Sequence, residues 1–487
     1  MNPLLLTDGY KVDHRRQYPT NTTLVYSNWT PRKSRIEGIE EVVFFGLQYC
    51  IKKYILHDFE KYFFNQPKEK VVAQYARRIN NYLGANQVGT KHIEKLHDLG
   101  YIPMVIKALP EGVSVPMRVP MFTMYNTIPD FFWLTNYFET LISAVIWMPC
   151  TSATLAKQYR KLLDKYALET SSTPDFVDWQ GHDFSMRGMA GIEAAVSSAS
   201  GHLLHFKGTD TIPAIDFLEN YYQAATDHEI IGGSVPATEH SVMCMGTVTH
   251  EIETFKRLIT TVYPKGVVSI VSDTWDLWKV LTEYLPKLKK EVLNREGKVV
   301  IRPDSGDPVA IICGNPEAKN VNERKGVVEL LWDTFGGKIN DKGFKELDPH
   351  IGAIYGDSIT IHRATQICEQ LKEKGFASTN IVLGIGSFTY QYNTRDTFGF
   401  AMKATYGEVN GQGREIFKDP VTDDGTKKSA KGLLKIERKN NQYILIDQVN
   451  WEEEKSGELQ EVFKDGKLVI DQSLAEIRTR IKNEKEA

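Results

Sequence analysis

The feature that most constrains the fold is a pattern that recurs along the middle of the chain. Short apolar runs without polar alternation each stop abruptly at polar or glycine-rich residues. The clearest is V-V-I at residues 299–301, followed at once by R-P-D-S-G-D-P. Such runs are typical of parallel strands covered on both faces. The other runs are 267–271 before Ser272-Asp273, 351–355 before Gly356-Asp357, 381–383 before Gly384, 202–206 before Lys207, and the stretch from 177 to His182-Asp183-Phe184.

Segments with helical spacing, such as 275–293 and 359–374, lie between several of these runs. Strand, polar turn and helix in repeated order predict an α/β barrel or a doubly wound sheet. In both architectures the ligand binds at the carboxyl ends of the strands. An aspartate that follows one strand is often only the cap of the next helix. Several polar, glycine-rich strand ends together favour a functional site.

The two flanks have a different character. Residues 1–150 mix helical and strand patterns, and the aromatic stretch 131–138 has the spacing of a helix that packs into a core. Beyond about residue 390 the pattern changes to alternation. Residues 433–438 and 442–447 predict two antiparallel strands, joined by the turn-forming triplet K-N-N.

Composition excludes several classes of protein. With 487 residues, 41% hydrophobic and 25% charged, the chain is expected to be soluble and to hold more than one core. A net charge of -3 gives no reason to expect nucleic acid or an anionic membrane as a partner. The five cysteines contain no C-x-x-C pair, which argues for a reducing compartment. No secretory leader is evident and the apolar stretch 141–148 is too short for a bilayer, so we expect a cytoplasmic protein.

Residue types at the strand ends indicate a phosphorylated ligand. Gly384-Ile385-Gly386-Ser387 suggests a cradle in which backbone N–H groups approach phosphate. Carboxylates after strands are the hard ligands that Mg²⁺ prefers when it is shared with substrate phosphates. The candidate magnesium ligands are Asp273, Asp304 and Asp357, and the candidate phosphate-binding arginines are Arg187, Arg302 and Arg395.

Several longer motifs, in order, resemble the nicotinamide phosphoribosyltransferases. They include T-D-G-Y-K-V-D-H, F-F-G-L-Q-Y, W-L-T-N-Y-F-E-T, F-K-G-T-D-T, S-V-P-A-T-E-H-S and I-R-P-D-S-G-D-P, and they extend over most of the chain. The resemblance implies a type II phosphoribosyltransferase α/β barrel over residues 151–390. It also implies a second α+β domain formed by residues 1–150 and 391–487, and a homodimer with active sites shared between subunits.

The implied reaction joins nicotinamide to the phosphoribosyl group of phosphoribosyl pyrophosphate, a step in NAD salvage. Phe184, with Tyr10 from the second subunit, would sandwich the pyridine ring. Asp210 would accept a hydrogen bond from the carboxamide and repel the like charge of nicotinate. The resemblance also implies substrate contacts by Arg187, Ser269, Gly356, Asp357, Gly386, Ser387 and Arg395.

The implied catalytic residues are His240, Asp273, Arg302 and Asp304. His240 would be transiently phosphorylated by ATP as a co-substrate, although a lone histidine without this resemblance is most often an ordinary surface or core imidazole. Asp273 would orient His240 or bind Mg²⁺ together with Asp304, and Glu239 competes for the orienting role. Basic residues from the second subunit would reach phosphates, namely Arg32, Lys403, Lys418, Lys427 and Lys428. The pyridine nitrogen carries no proton, so no general base is needed.

Two other functions remain open at this point. The first is a nicotinate phosphoribosyltransferase of the same fold, against which Asp210 argues. The second is a catalytically silent nucleotide-binding homologue, against which the presence of His240, Arg302 and Asp304 argues.

Overall fold

The structure is a computed structural model that describes residues 1–84, 87–356, 358–418 and 430–486, the side chains of the last two excepted. The chain divides into two compact units. Unit 1 comprises Met1–Thr154, Phe217–Ala224 and Asn393–Ala487, and unit 2 comprises Leu155–Asp216 and Ala225–Tyr392.

The main boundaries lie after residues 154 and 392, close to the predicted boundaries after residues 150 and 390. One internal segment is also assigned differently. The segment Phe217–Ala224, which we predicted within the barrel, belongs to unit 1. Its tyrosines explain this placement, because the hydroxyl of Tyr222 donates to buried Glu111 at 2.9 Å and the carbonyl of Tyr221 accepts from Gln48 at 2.6 Å. A buried carboxylate needs such donors, so the segment is tied to unit 1.

Unit 2 is built on a parallel sheet of short, buried strands. They are Gly181–Asp183, Gly208–Thr209, Val268–Val271, Val299–Arg302, Ile351–Tyr355 and Ile381–Ile385. All pairings are parallel. The first strand pairs with the second, and the third to the sixth pair in chain order. The sixth strand also pairs with the first, through Leu383 and Gly181. The predicted parallel α/β sheet is confirmed.

An irregular segment, 233–238, closes this sheet into a barrel. Gly233 bridges Gly208 on one side, and Ala237 bridges Ser269 on the other. Backbone hydrogen bonds accompany both bridges, from Thr209 N to Gly233 O at 3.0 Å and from Thr238 N to Ser269 O at 3.0 Å. The strands therefore follow one another around the barrel in chain order.

Helices lie between the strands of unit 2, as the spacing predicts. The main ones are Ile192–His202, Pro213–Tyr222 (in unit 1 from Phe217 on), His240–Met245, Glu251–Arg257, Leu277–Lys279, Lys289–Leu293, Pro308–Cys313, Val321–Lys325, Val327–Phe335 and Ile361–Glu373, with π-helical turns at Leu258–Val262 and Val280–Tyr284 and a short helix at Ser387–Tyr390. One expectation is wrong. Residues 202–206 do not form a strand, because the helix Ile192–His202 ends there and the strand begins at Gly208.

Unit 1 contains an antiparallel sheet that interleaves strands from both ends of the chain. Its order is Gln412–Glu415, Ala401–Val409, Thr22–Thr30, Phe122–Asn126, Met104–Ala108, Gln460–Lys464 and Lys467–Leu468. Two further pairs join Glu41–Val43 to Ser114–Pro116 and Leu433–Lys439 to Gln442–Val449. The predicted hairpin turn is present, with positive φ of 50° and 62° at Asn440 and Asn441.

Helices cover this sheet and an aromatic core fills it. The principal helices are His14–Gln17, Leu47–Cys50, Ile51–Asp58, Glu60–Phe64, Lys68–Leu83, Lys91–Leu99, Leu134–Tyr137, Trp451–Lys455 and Leu474–Glu486, together with Glu139–Thr170, of which the residues up to Thr154 belong to this unit. Trp29 stacks on Phe400 and Phe122, with ring centroids 4.5 and 5.8 Å apart. Across the described ranges no single helix is long and apolar enough to cross a membrane. One bent pair, Pro129–Tyr137 with Glu139–Thr170, has sufficient length and apolar composition only when its two helices are taken together.

Candidate active site

A cavity of about 910 Å³ opens where the barrel strands of unit 2 end. The barrel consists of six strands and the closing segment 233–238. Residues at or directly after the ends of six of these seven elements, all but Val268–Val271, line the cavity. The lining residues that the sequence singled out are Phe184, Arg187, Asp210, His240, Arg302, Asp304, Gly356, Gly386 and Ser387. Parallel strands that meet at one edge explain why residues so far apart in sequence come together.

Phe184 forms an aromatic wall of the cavity. Its backbone N–H donates to Ile385 O at 3.0 Å, and its ring lies 4.4 Å from the ring of His182. Gly384 makes room for it, because a Cβ there would lie 2.8 Å from Phe184 Cδ2 and 2.8 Å from Tyr355 O. The glycine predicted to approach phosphate thus allows the aromatic side chain to pack against the strand end.

Asp210 presents a carboxylate on the next strand end. Its Oδ1 accepts from His182 Nε2 at 2.9 Å and from Ser234 Oγ at 2.6 Å. Burial acts to raise the pKa of Asp210, but these hydrogen bonds and the charges of His182 and Arg302 outweigh it, so the pKa lies below the usual value. Asp210 is therefore ionised at neutral pH.

Asp183 holds the loops that carry Phe184 and Asp210, and sequence reasoning missed it. The carboxylate is fully buried and accepts four hydrogen bonds. Ser185 donates to Oδ1 through its N–H at 3.0 Å and its hydroxyl at 2.6 Å, while Thr209 and Thr211 donate to Oδ2 at 2.8 and 2.7 Å. The signal that could have found it is a carboxylate at the end of a predicted buried strand, because a buried carboxylate needs such partners.

His240 begins the helix His240–Met245 and is half-exposed. Its Nε2 lies 3.2 Å from Asp273 Oδ1. Glu239, the competing partner, instead accepts a short hydrogen bond from Ser241. The sequence left the orienting residue open, and the geometry assigns that contact to Asp273.

Asp273 also holds the following strand end. Its Oδ2 accepts from the N–H groups of Asp304 and Ser305, both at 2.8 Å, and from the Ser305 hydroxyl. Burial acts to raise the pKa of Asp273, yet these hydrogen bonds and the charge of His240 keep it below the usual value. One carboxylate thus connects the histidine to the loop that bears Asp304.

Arg302 and Asp304 lie side by side on the wall next to His240. Arg302 Nη2 donates to Thr238 O at 2.6 Å, and its buried Nε lies 3.7 Å from Asp304 Oδ1 without forming a hydrogen bond. Asp304 reaches this position because Gly356 has no side chain, as a Cβ there would lie 2.1 Å from Asp304 Oδ1.

Arg187 and Ser387 line the remaining side of the cavity. Arg187 lies exposed on the 3₁₀ turn Met186–Gly188, and its guanidinium makes no ion pair with a described residue. Ser387 packs closely on that turn, because a Cβ on Gly188 would lie 2.0 Å from Ser387 Oγ. The turn and the strand end 381–385 therefore form one surface.

Four of the predicted residues cannot be placed at the cavity wall. Ser269 lies within the strand Val268–Val271, is 4% exposed and does not line the cavity, and its hydroxyl has no hydrogen-bond partner among the residues that the structure describes. Asp357 lies outside the described residues, as do Lys427 and Lys428.

The other predicted residues belong to unit 1. Tyr10 is 61% exposed and lies under the ammonium of Lys11, 5.0 Å from its ring centroid. Lys403 has a pKa below the usual value because of partial burial and the positive charges of Arg32, Lys11 and Arg395, against the opposing effect of Glu139. Lys418 lies exposed beyond the strand Gln412–Glu415. Unit 1 thus gathers a group of basic side chains, Arg32, Arg395 and Lys403, with Lys11 beside Tyr10.

Within the described ranges no three His, Cys, Asp or Glu side chains form a group that could hold a metal ion on their own. Both oxygens of Asp273 already have partners, whereas Asp304 lines the cavity and is 29% exposed. Asp304 therefore fits a magnesium ion shared with substrate phosphates better than Asp273 does.

Comparison with known proteins covers the whole chain. Residues 179–467 match the nicotinate phosphoribosyltransferase (NAPRTase) family, and residues 2–96 match the N-terminal domain of nicotinamide phosphoribosyltransferase. A curated relative from Acinetobacter baylyi, named nicotinamide phosphoribosyltransferase, is 54% identical over 100% of this chain and 98% of its own length.

Two solved structures share the fold at low sequence identity. The nicotinate-nucleotide pyrophosphorylase from Pyrococcus furiosus matches with a TM-score of 0.59 and 11% identity over 100% of this chain and 96% of its own. Human nicotinic acid phosphoribosyltransferase matches with a TM-score of 0.53 and 14% identity over 98% and 93%.

Proposed function

The chain belongs to the nicotinamide phosphoribosyltransferase family, and we propose that it transfers the phosphoribosyl group of phosphoribosyl pyrophosphate to nicotinamide, releasing pyrophosphate. The observation that carries the choice of nicotinamide is the ionised Asp210 carboxylate, which lines the same cavity as the Phe184 ring. A carboxamide N–H₂ group can donate to this carboxylate, whereas the carboxylate of nicotinate meets a like charge.

The chemistry requires positioning and charge more than proton transfer. As pyrophosphate leaves the anomeric carbon, positive charge develops on the ribose, and the pyridine nitrogen attacks from the opposite face. Phe184 would hold the ring, Asp210 would fix its rotation, and the guanidinium groups of Arg187 and Arg302, which line the cavity, would bind phosphate oxygens. Asp304, which lies beside Arg302, would face the ribose and stabilise the developing charge.

We propose that Mg²⁺ binds with Asp304 and the substrate phosphates. The bound ion would neutralise negative charge on the leaving pyrophosphate. Asp273, with its oxygens occupied by His240, Asp304 and Ser305, acts instead as the residue that holds the histidine and the loop.

We further propose that ATP phosphorylates His240 during turnover. The support is the contact of Nε2 with Asp273 and the half-exposed position of the ring on the cavity wall. A proton held on Nε2 by the carboxylate leaves the lone pair on Nδ1, which makes that nitrogen the nucleophile.

The unit 1 residues support a proposal of shared active sites in a homodimer. Tyr10 exposes most of its ring, and the basic group of Arg32, Arg395 and Lys403 has the charge to bind phosphates. We propose that these residues complete the site of the second subunit, with nicotinamide, phosphoribosyl pyrophosphate and ATP as the small-molecule partners.

Asp210→Asn tests the proposed substrate choice. Removing one negative charge is expected to raise kcat/KM for nicotinate about tenfold or more relative to nicotinamide, since like-charge repulsion at short range is worth at least about 1.4 kcal/mol. The measurement is formation of the two mononucleotides from phosphoribosyl pyrophosphate by the wild type and the variant. A variant that keeps the full wild-type preference would exclude Asp210 as the selecting residue.

A further inference from the structure

Asp210 receives both of its hydrogen bonds on a single oxygen. His182 and Ser234 donate to Oδ1, while Oδ2 has no donor within the described part of the chain. The two donors come from opposite sides, because His182 lies on the strand Gly181–Asp183 and Ser234 on the closing segment 233–238. These elements flank the strand that precedes Asp210, so the carboxylate is held from both sides with Oδ2 left to a ligand.

His182 is itself fixed and lies behind the cavity wall. It is 8% exposed, its ring contacts the ring of Phe184 at 4.4 Å, and it is absent from the lining. A Cβ on Gly208 would lie 2.7 Å from Nδ1, so the imidazole fills the space that this glycine leaves. One side chain thus contacts both the aromatic wall and the carboxylate.

The charge of Asp210 depends on these donors. Burial alone acts to raise its pKa, and the opposing contributions come from His182, Ser234 and Arg302. Asp183 meets Asp210 through its backbone carbonyl, which accepts from the Asp210 N–H at 3.0 Å. The Asp183 carboxylate is taken up by Ser185, Thr209 and Thr211.

We propose that His182 and Ser234 are positioning residues that set the selectivity for amide over acid, by keeping Asp210 ionised with Oδ2 available to the ring substituent. Selectivity is then linked to a proton. When Asp210 is protonated, its hydroxyl can donate to the carboxylate of nicotinate, and the repulsion disappears. This inference rests on the proposed function of the cavity.

The test measures the ratio of kcat/KM for nicotinate to that for nicotinamide as a function of pH. Four variants are compared with the wild type: Ser234→Ala, His182→Leu, His182→Gln and His350→Gln. The last is a matched control, since His350 Nδ1 contacts Asp348 Oδ1 at 2.7 Å in the same unit but away from the cavity. Comparison of proteins at the same pH cancels the titration of the substrates themselves.

In the wild type the ratio is expected to fall as pH rises. Ser234→Ala and His182→Leu each remove a donor, so Asp210 holds its proton to higher pH and the ratio at fixed pH rises about tenfold. His182→Gln, whose amide nitrogen can still donate, should lie between His182→Leu and the wild type, and His350→Gln should match the wild type.

The inference is overturned if Ser234→Ala and every His182 variant that folds keep the wild-type ratio at all pH values while only their activity with nicotinamide changes. Ser234 is exposed, so Ser234→Ala carries the test even if His182→Leu does not fold. Failure of the proposed function looks different, because the wild type itself would then not turn over nicotinamide.

Discussion

His240 and Asp304 lie on neighbouring parts of one cavity wall, and the same residue, Asp273, contacts both. The contacts differ in kind. Asp273 accepts a hydrogen bond from the imidazole of His240, but from Asp304 it accepts through the backbone N–H. The carboxylate of Asp304 instead lies beside the guanidinium of Arg302. At the scale of single residues, this difference agrees with the separate roles proposed for the two residues, His240 in ATP coupling and Asp304 at the ribose.

His240→Ala is expected to abolish ATP hydrolysis that depends on substrate while leaving a slow synthesis of the mononucleotide without ATP. Asp304→Ala should lower synthesis by about a hundredfold or more both with and without ATP, since it removes charge stabilisation from the transition state. The measurement is synthesis and ATP hydrolysis in parallel, with and without ATP.

The control for this pair is His250→Ala, an exposed histidine whose Nδ1 contacts the hydroxyls of Thr247 and Thr249. It should retain both activities. If His240→Ala were still stimulated by ATP to the normal extent, the phosphohistidine proposal would be wrong.

At the scale of elements, the strand ends place the site through close approaches that only glycine allows. Gly356→Ala is expected to lower kcat/KM about a hundredfold, because its Cβ would displace the Asp304 carboxylate by an ångström or more. Gly352→Ala in the same strand is the control, since its Cβ would meet only the flexible side chain of Lys298 at 3.2 Å. Equal activities of the two variants in steady-state assays would contradict this reading of the strand end.

The sequence pattern was sufficient for most of these elements and insufficient for others. Apolar runs correctly located the strands at 268–271, 299–302, 351–355 and 381–385, because each is covered on both faces. The prediction of a strand at 202–206 is wrong because these residues form the end of a helix and the turn after it, where their apolar side chains are buried. There the ring of Phe206 stacks on His202 at 5.0 Å and fills the space beside Gly181. Periodicity cannot distinguish such a helix end from a buried strand.

The part of the candidate site that could be predicted consists of side chains that directly follow a strand or stand in a recognisable motif. Phe184, Asp210, His240, Arg302 and Asp304 could be named from motifs. The supporting residues Asp183, His182 and Ser234 could not, because their roles depend on hydrogen bonds between segments far apart in sequence. Closure of the barrel by 233–238 was also invisible, since two isolated bridges leave no strand pattern.

At the scale of the whole molecule, the proposal of shared sites is tested by mixing variants. Tyr10→Ala and Phe184→Ala should each be nearly inactive alone, because each removes one face of the ring-binding pair. A hybrid dimer of the two contains one site with both aromatic residues intact, so random exchange of subunits should restore about a quarter of wild-type activity. Hybrids of verified composition that stay inactive would count against sites shared between subunits.

The central claim is that the cavity of unit 2 transfers a phosphoribosyl group to nicotinamide and discriminates against nicotinate. The most direct measurement gives the purified wild-type protein phosphoribosyl pyrophosphate with nicotinamide or nicotinate, side by side at neutral pH, and determines kcat/KM for each mononucleotide formed. We predict nicotinamide mononucleotide as the product, with kcat/KM at least about a hundredfold higher than for nicotinate, as expected for an ionised carboxylate facing a like charge. Equal use of the two substrates, or a preference for nicotinate, would contradict the account.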